Sequence, residues 1–160
     1  MAESITLTPG ATKAQRYQEL VPQIQSVIED ESDLVANLAN VAAMLKEAFD
    51  FFWVGFYINR EDELVLGPFQ GPLACTRIPF SKGVCGAAAT EQRTLIVPNV
   101  NQFPGHIACS SDSKSEVVVP LVKDGVTQMV LDVDSDLMDD FDTTDAQYLE
   151  HIMELLKAKF

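Results

Sequence analysis

The sequence has 160 residues, of which 47% are hydrophobic and 22% are charged, a size and balance typical of one globular domain. Its 24 acidic residues outnumber its 11 basic ones, and the net charge of −13 argues against binding to nucleic acid or to an anionic membrane. The apolar runs are too short for a membrane helix and the first residues do not resemble a secretory signal, so we expect a cytoplasmic protein.

Two helices are predicted in the first third of the chain, after a loose N-terminal arm of residues 1–10. The first helix begins near Ala11 and has apolar residues at helical spacing, but Pro22 is expected to kink it or to start a new helix. The second helix follows Ser32 or Asp33, because either side chain can cap a helix N-terminus.

The middle of the chain changes to strand patterns with one short helix over residues 83–91. Residues 98–114 form a long irregular segment, which in a compact domain is usually functional or mobile. The predicted strands of this part are residues 51–58, 63–66, 73–78 and 94–97.

The last part of the chain is predicted to form a hairpin and a helix. Strands over residues 115–122 and 126–134 flank a turn at residues 123–125, and the helix begins near Thr144. Helices, hairpin-linked strands and a final helix indicate an α+β fold with an antiparallel sheet, in which residues 11–160 form a single domain.

Three acids are predicted to share one face of this hairpin. Asp132 and Asp134 are two residues apart on a strand and therefore point the same way. A three-residue turn at 123–125 pairs Glu116 with Asp132 and places it on that face, whereas a two-residue turn would point it toward the core. Pro120 can add a bulge that changes this pairing. The acids are either solvated on an exposed face or form an anionic pocket for a cation such as an ammonium group.

Two aromatic residues share one face of the first strand. Trp53 and Tyr57 flank Gly55, which leaves space on the surface of the sheet between two large rings. Such rings suit a partly wet pocket, and a thioether or methyl group packs well against them. Ordinary core packing would produce the same pattern.

The chain has three cysteines, an odd number without any C-x-x-C motif, which argues against a disulfide scaffold. Cys85 lies where a helix is expected to begin, a position that lowers the pKa of a thiol. Cys75 is assigned to the third strand and Cys109 to the long irregular segment. Redox chemistry and inert burial both fit these positions. A zinc site of the three cysteines and His106 is a further alternative, but the spacings fit no common zinc family.

The segments around the cysteines, GPLACTRIPFSKGVCGAAA and NQFPGHIACSSDSKSEVVVPL, with LDVDS after them, resemble the free methionine-(R)-sulfoxide reductases. These are stand-alone GAF-domain enzymes, and the resemblance covers about residues 13–158. It implies a GAF fold with a six-stranded antiparallel sheet and helices packed on one face. It also implies reduction of the R-sulfoxide of free methionine, with neither a metal nor a bound cofactor.

The resemblance further implies a role for each cysteine. Cys109 matches the catalytic cysteine of the family, Cys75 the resolving one and Cys85 the remaining one. Thiol attack on the sulfoxide would give a sulfenic acid, which condenses with a second thiol to a disulfide. The implied reductant is thioredoxin, linked to NADPH, and the implied assembly is a homodimer. From the residues alone, the attacking cysteine is open between Cys85 and Cys109, and the resolving one between Cys75 and Cys85.

Five more residues match substrate-binding positions of the family. The acids would explain a preference for the free amino acid, because a methionine inside a peptide has no α-ammonium group to neutralise them. A non-catalytic GAF-type sensor of a small ligand is the alternative, although it leaves the three cysteine motifs without a role. The matching positions are Glu116, Asp132 and Asp134 for the amine, and Trp53 and Tyr57 for the aromatic pocket.

Overall fold

The structure is a computed structural model that describes residues 4–160. Within that range, no helix is long and apolar enough to cross a membrane. The elements in chain order are α1 (Lys13–Ile28), α2 (Leu34–Phe49), β1 (Trp53–Arg60), β2 (Glu63–Gln70), β3 (Arg77–Pro79), α3 (Gly83–Glu91), β4 (Leu95–Val97), a 3-10 turn (Val100–Gln102), β5 (Ser115–Lys123), β6 (Val126–Ser135) and α4 (Thr143–Lys157).

The six strands form one antiparallel sheet in the order β3-β2-β1-β6-β5-β4. The helices α1, α2 and α4 cover one face, where their apolar stripes pack on alternate strand residues such as Phe56, Val117 and Leu131. The prediction of a six-stranded α+β fold with helices packed on one face is confirmed for these three helices. The short α3 lies on the opposite face, against β5 and β6.

The structure decides two points about the helices that the sequence leaves open. No second helix begins at Pro22, because α1 runs through it and places it on the exposed side, where the carbonyl left without a partner can face water. Asp33, and not Ser32, caps α2 by accepting a hydrogen bond from the backbone N–H of Ala36. The last helix begins at Thr143.

Residues 4–10 lie along α1, and the expectation of a loose arm is wrong for them. The backbone N–H and the hydroxyl of Thr8 donate to Glu19, while the backbone N–H of Thr6 donates to Gln23. Ile5 also packs against the core formed by the three helices. The first three residues of the predicted arm lie outside the described residues.

The β5–β6 hairpin has a different register from the one predicted. Its turn has two residues, Asp124-Gly125, both with positive φ, and not three. A bulge, at which Gln128 has no partner on β5, shifts the register by one residue. The bulge therefore points Glu116 away from the core despite the shorter turn. Glu116 pairs with Asp134, and its predicted pairing with Asp132 is wrong.

Candidate active site

A pocket opens on the face of the sheet that α1, α2 and α4 leave uncovered. Its walls are β1, β5 and β6, the start of α3, and the loops before β3 and β5. All of the predicted site residues except Cys75 line it, and Cys75 is bonded to a lining residue. The lining residues predicted from the sequence are Trp53, Tyr57, Cys85, Cys109, Glu116, Asp132 and Asp134.

The register of the sheet brings the acids and the aromatic residues together. Glu116 on β5 pairs with Asp134 on β6, and Asp134 also pairs with Trp53 on β1. These three residues therefore form one row across the floor of the pocket. Asp132 lies in the next row, between Gly55 on one side and β5 on the other.

Glu116 and Asp132 are buried and Asp134 is half-buried, and no side-chain cation within residues 4–160 pairs with them. Glu116 and Asp132 are each 6% exposed, so the alternative of acids solvated on an open face is wrong for them. The Oδ1 atom of Asp132 has no hydrogen-bond partner within residues 4–160. Asp134 accepts a hydrogen bond of 2.5 Å from the hydroxyl of Ser113. None of the ion pairs found in the described part of the chain involves these acids.

Burial raises the pKa of all three acids, because the charged form loses its hydration. The pKa of Asp132 rises to about 6. Repulsion by Asp132 adds to the rise in the pKa of Glu116 and of Asp134. A ligand cation would remove both the desolvation cost and the repulsion, so the floor of the pocket has the chemistry of a receptor for a positively charged group.

Two of the cysteines form a disulfide at the rim of the pocket. Cys75 and Cys109 are bonded, with 5.3 Å between their Cα atoms, and both are partly exposed. The prediction that Cys75 lies in the third strand is wrong, because β3 begins at Arg77 and Cys75 precedes it. The zinc site of three cysteines and His106 does not exist in this form of the protein, since two of its sulfur donors are bonded to each other.

Cys85 is a free thiol at the bottom of the pocket, 4% exposed, and its Sγ donates to Oε1 of Glu116 at 3.8 Å. Its place in the first turn of α3 predicts a lowered pKa. Burial instead raises this pKa, and the charges of Asp132 and Glu116 raise it further. Cys85 is therefore a protonated thiol near neutral pH in the ligand-free pocket.

Close packing holds α3, and with it Cys85, near the acids. The hydroxyl of Thr127 on β6 donates to the carbonyl of Ala89 at 2.7 Å. At Gly86, a Cβ atom would lie 2.5 Å from the carbonyl oxygen of Pro79, so only glycine allows this approach of the helix to β3.

The aromatic residues hold the loop that carries Cys75. Trp53 Nε1–H donates to the carbonyl of Pro72 at 3.1 Å, and the hydroxyl of Tyr57 donates to the carbonyl of Cys75 at 3.0 Å. A Cβ atom at Gly55 would lie 2.6 Å from the Trp53 ring, so the space predicted at this glycine is filled by the indole itself. The two rings therefore form a wall of the pocket and position the disulfide loop.

Ser113 and His106 are two polar lining residues that the sequence does not place in the pocket. Ser113, the partner of Asp134, is one polar residue within a polar run, and nothing in the sequence distinguishes it. His106 was considered only as a zinc ligand, yet it lines the pocket with Cys109. Partial burial lowers the pKa of His106, so its ring is neutral at pH 7.

The profile of the GAF domain family matches residues 29–158. GAF domain-containing protein A of Dictyostelium discoideum is 56% identical over 157 residues, which cover 98% of this chain and 99% of that protein. The free methionine-R-sulfoxide reductase of Saccharomyces cerevisiae is 38% identical, over 97% of this chain and 91% of its own. The X-ray structure of free methionine-R-sulfoxide reductase from Neisseria meningitidis in complex with its substrate shares 54% identity and a TM-score of 0.96, over 100% and 96% of the chains. The chain therefore belongs to the GAF domain family and, within it, to the free methionine-R-sulfoxide reductases.

Proposed function

We propose that this protein reduces the R-sulfoxide of free methionine to methionine with its own cysteine thiols. The observation that carries this proposal is the position of a cysteine pair at the rim of a pocket whose floor holds acids that no cation among residues 4–160 neutralises. The pocket therefore contains both the thiols that would reduce the sulfoxide and the acids that would bind a positively charged substrate.

The substrate ammonium group lies against Glu116, Asp132 and Asp134 in this proposal. It supplies the positive charge that the acids lack and a hydrogen-bond donor for the unpartnered Oδ1 of Asp132. The S-methyl end of the substrate packs against Trp53 and Tyr57, because sulfur and methyl groups pack favourably on aromatic rings. The sulfoxide then faces the rim, where Cys109 lies.

Cys109 is the attacking residue, and Cys75 resolves the intermediate. The Cys109 thiol loses its proton and attacks the sulfoxide sulfur, and the oxygen passes to Cys109. The cysteine is oxidised to a sulfenic acid while the sulfoxide is reduced to methionine. The Cys75 thiol then attacks the sulfenic acid, water leaves, and the disulfide forms. The separation of 5.3 Å between the Cα atoms is within the range that a disulfide needs.

The acids also provide a source for the proton that the sulfoxide oxygen takes up. Their raised pKa values mean that the group of three holds protons near neutral pH. One ammonium group neutralises one negative charge, so a proton remains in the pocket after the substrate binds. Backbone N–H groups of the loop before β5 are a second source of hydrogen bonds for this oxygen.

Thioredoxin, reduced through NADPH, regenerates the thiols in this proposal. Both disulfide sulfurs belong to partly exposed residues, which supports attack by an external dithiol. Turnover of this kind requires a reducing compartment, which supports a location in the cytoplasm. A homodimer follows from the family resemblance alone, and sedimentation velocity at several protein concentrations tests it.

Thioredoxin-coupled NADPH oxidation, with the separated R and S epimers of free methionine sulfoxide, tests the reaction. We expect turnover of the R epimer alone, loss of turnover in Cys109→Ser, and no change in Ser111→Ala, which removes an exposed hydroxyl from the same loop. No turnover of either epimer by fully reduced protein would contradict the proposal and favour a GAF domain that only binds a ligand.

A further inference from the structure

We propose that the floor of the pocket also binds a zinc ion, through Cys85, Glu116 and Asp132. One ligand atom of each residue lies within 4.8 Å of the other two. The three residues come from α3, β5 and β6, so a bound ion would join the helix to two strands of the sheet.

The donor set has the chemistry of a zinc site. Zinc binds thiolate sulfur at about 2.3 Å and carboxylate oxygen at about 2.0–2.2 Å, commonly with four ligands. Three protein ligands leave a fourth position open to the pocket, as in zinc sites that keep a bound water. The hard cations Mg²⁺ and Ca²⁺ prefer all-oxygen sites, so the thiol of Cys85 selects against them.

Two observations besides the clustering of acids point to a bound cation. The Oδ1 atom of Asp132 is buried and has no hydrogen-bond partner among residues 4–160, so it is available as a ligand. Cys85 is a free thiol in contact with Glu116, 3.8 Å from its Oε1 to Sγ, although the other two cysteines are bonded to each other. Zinc would displace the proton of this thiol, as it does at other cysteine ligands.

This site differs from the zinc site considered from the sequence, because the two sites share only Cys85. It needs neither Cys75 nor Cys109, so zinc should bind whether or not these two residues form their disulfide. Zinc binding to the disulfide form therefore distinguishes this site from the site of three cysteines and His106.

Zinc and the substrate should exclude each other. This part of the inference depends on the proposed function, since it places the substrate ammonium on the carboxylates that bind the ion. Zinc would then act as a competitive inhibitor, and free methionine sulfoxide would release it from the protein.

Zinc binding to the full chain in its Cys75–Cys109 disulfide form tests the site without any measurement of activity. Competition with a chromogenic chelator should show one zinc ion per chain. Cys85→Ser and Asp132→Asn should each weaken binding by at least about 100-fold, because even partners outside the coordination sphere account for roughly 10- to 100-fold. The matched control Asp112→Asn removes an exposed acid near the pocket and should leave the affinity unchanged. Circular dichroism checks that each variant is folded.

Cobalt provides a second readout, because a thiolate ligand gives a charge-transfer absorption band that Cys85→Ser should abolish. Zinc binding that is lost when the disulfide forms, or that survives Cys85→Ser, would overturn the proposal. Zinc that binds as expected but is not released by methionine sulfoxide would support the metal site and contradict the position proposed for the ammonium group.

Discussion

Buried acids lie on both sides of the same sheet. Asp145, at the start of α4, is 1% exposed and contacts Lys13 Nζ at 2.6 Å and the Tyr17 hydroxyl at 2.7 Å. Asp132, on the pocket face, is 6% exposed, and its Oδ1 has no partner within the described residues. The two carboxylates are equally withdrawn from water but differ in what surrounds them.

The difference separates a structural acid from a functional one. The protein supplies its own cation and donors to Asp145, which links α1 to α4 and also accepts from the backbone N–H of Asp142. On the pocket face no cation from the described part of the chain pairs with the acids, and burial raises the pKa of Asp132. A site that buries negative charge without neutralising it is suited to a cationic ligand, which in the proposed function is the ammonium group of a free amino acid.

The largest expected effect is on catalysis. Asp132→Asn or Glu116→Gln should lower kcat/KM for free methionine-R-sulfoxide by roughly 30- to 5,000-fold, because losing one partner of a buried charge pair costs about 2–5 kcal/mol. Asp145→Asn should leave kcat/KM, expressed per folded molecule, unchanged. Steady-state kinetics of the three variants measure this. An equal loss of kcat/KM in all three would show that the pocket acids and Asp145 do not differ in function.

Asp145→Asn should instead lower the free energy of unfolding, by about 2 kcal/mol, because Lys13 and Tyr17 lose their charged partner. The effect is limited because the side chain of Lys13 is 36% exposed and can turn toward water. Urea denaturation measures the change, with Asp136→Asn as the matched loss of an exposed acid. A loss of less than 0.5 kcal/mol, about the effect of an ordinary surface change, would show that Asp145 is not structural.

Asp132→Asn should instead raise the free energy of unfolding of the ligand-free protein at pH 7, by about 1 kcal/mol. Between the ordinary pKa of 3.8 and the raised value of about 6, the folded chain keeps a proton that the unfolded chain has released. The contribution of Asp132 to the stability of the wild type therefore falls as the pH rises through this window. The gain in Asp132→Asn should vanish near pH 4, where the acid is protonated in the folded state. Thermal unfolding of both proteins at pH 4 and pH 7 checks it, and a gain at both pH values would point to a cause other than charge.

Much of the site follows from local rules of sequence. Strand alternation predicts that Trp53 and Tyr57 share a face, and the cysteine motifs lead to the family. The helix over residues 83–91 is predicted with the bounds that the structure shows. The register of the last hairpin does not follow from such rules. The shorter turn and the bulge at Gln128 each reverse the face on which Glu116 lies, so together they leave it on the pocket face.

Properties that depend on tertiary packing were predicted least well. The sequence places Cys85 at a helix N-terminus and so indicates a lowered pKa, but burial beside two acids reverses the direction. The contact of Ser113 with Asp134 joins a loop to a strand 21 residues away, and no periodic pattern encodes it. The arm along α1 depends in the same way on the distant partners of Thr6 and Thr8.

The most direct test of the account compares free methionine-R-sulfoxide with its N-acetyl derivative as substrates of the wild-type protein. The acetyl group removes the positive charge that the three acids are proposed to bind and leaves the reacting sulfoxide unchanged. We predict that kcat/KM falls by about 30-fold or more for the N-acetyl compound, since a buried charge interaction of about 2–5 kcal/mol is lost. Equal kcat/KM values for the two compounds would contradict the claim that the acids bind the substrate ammonium group.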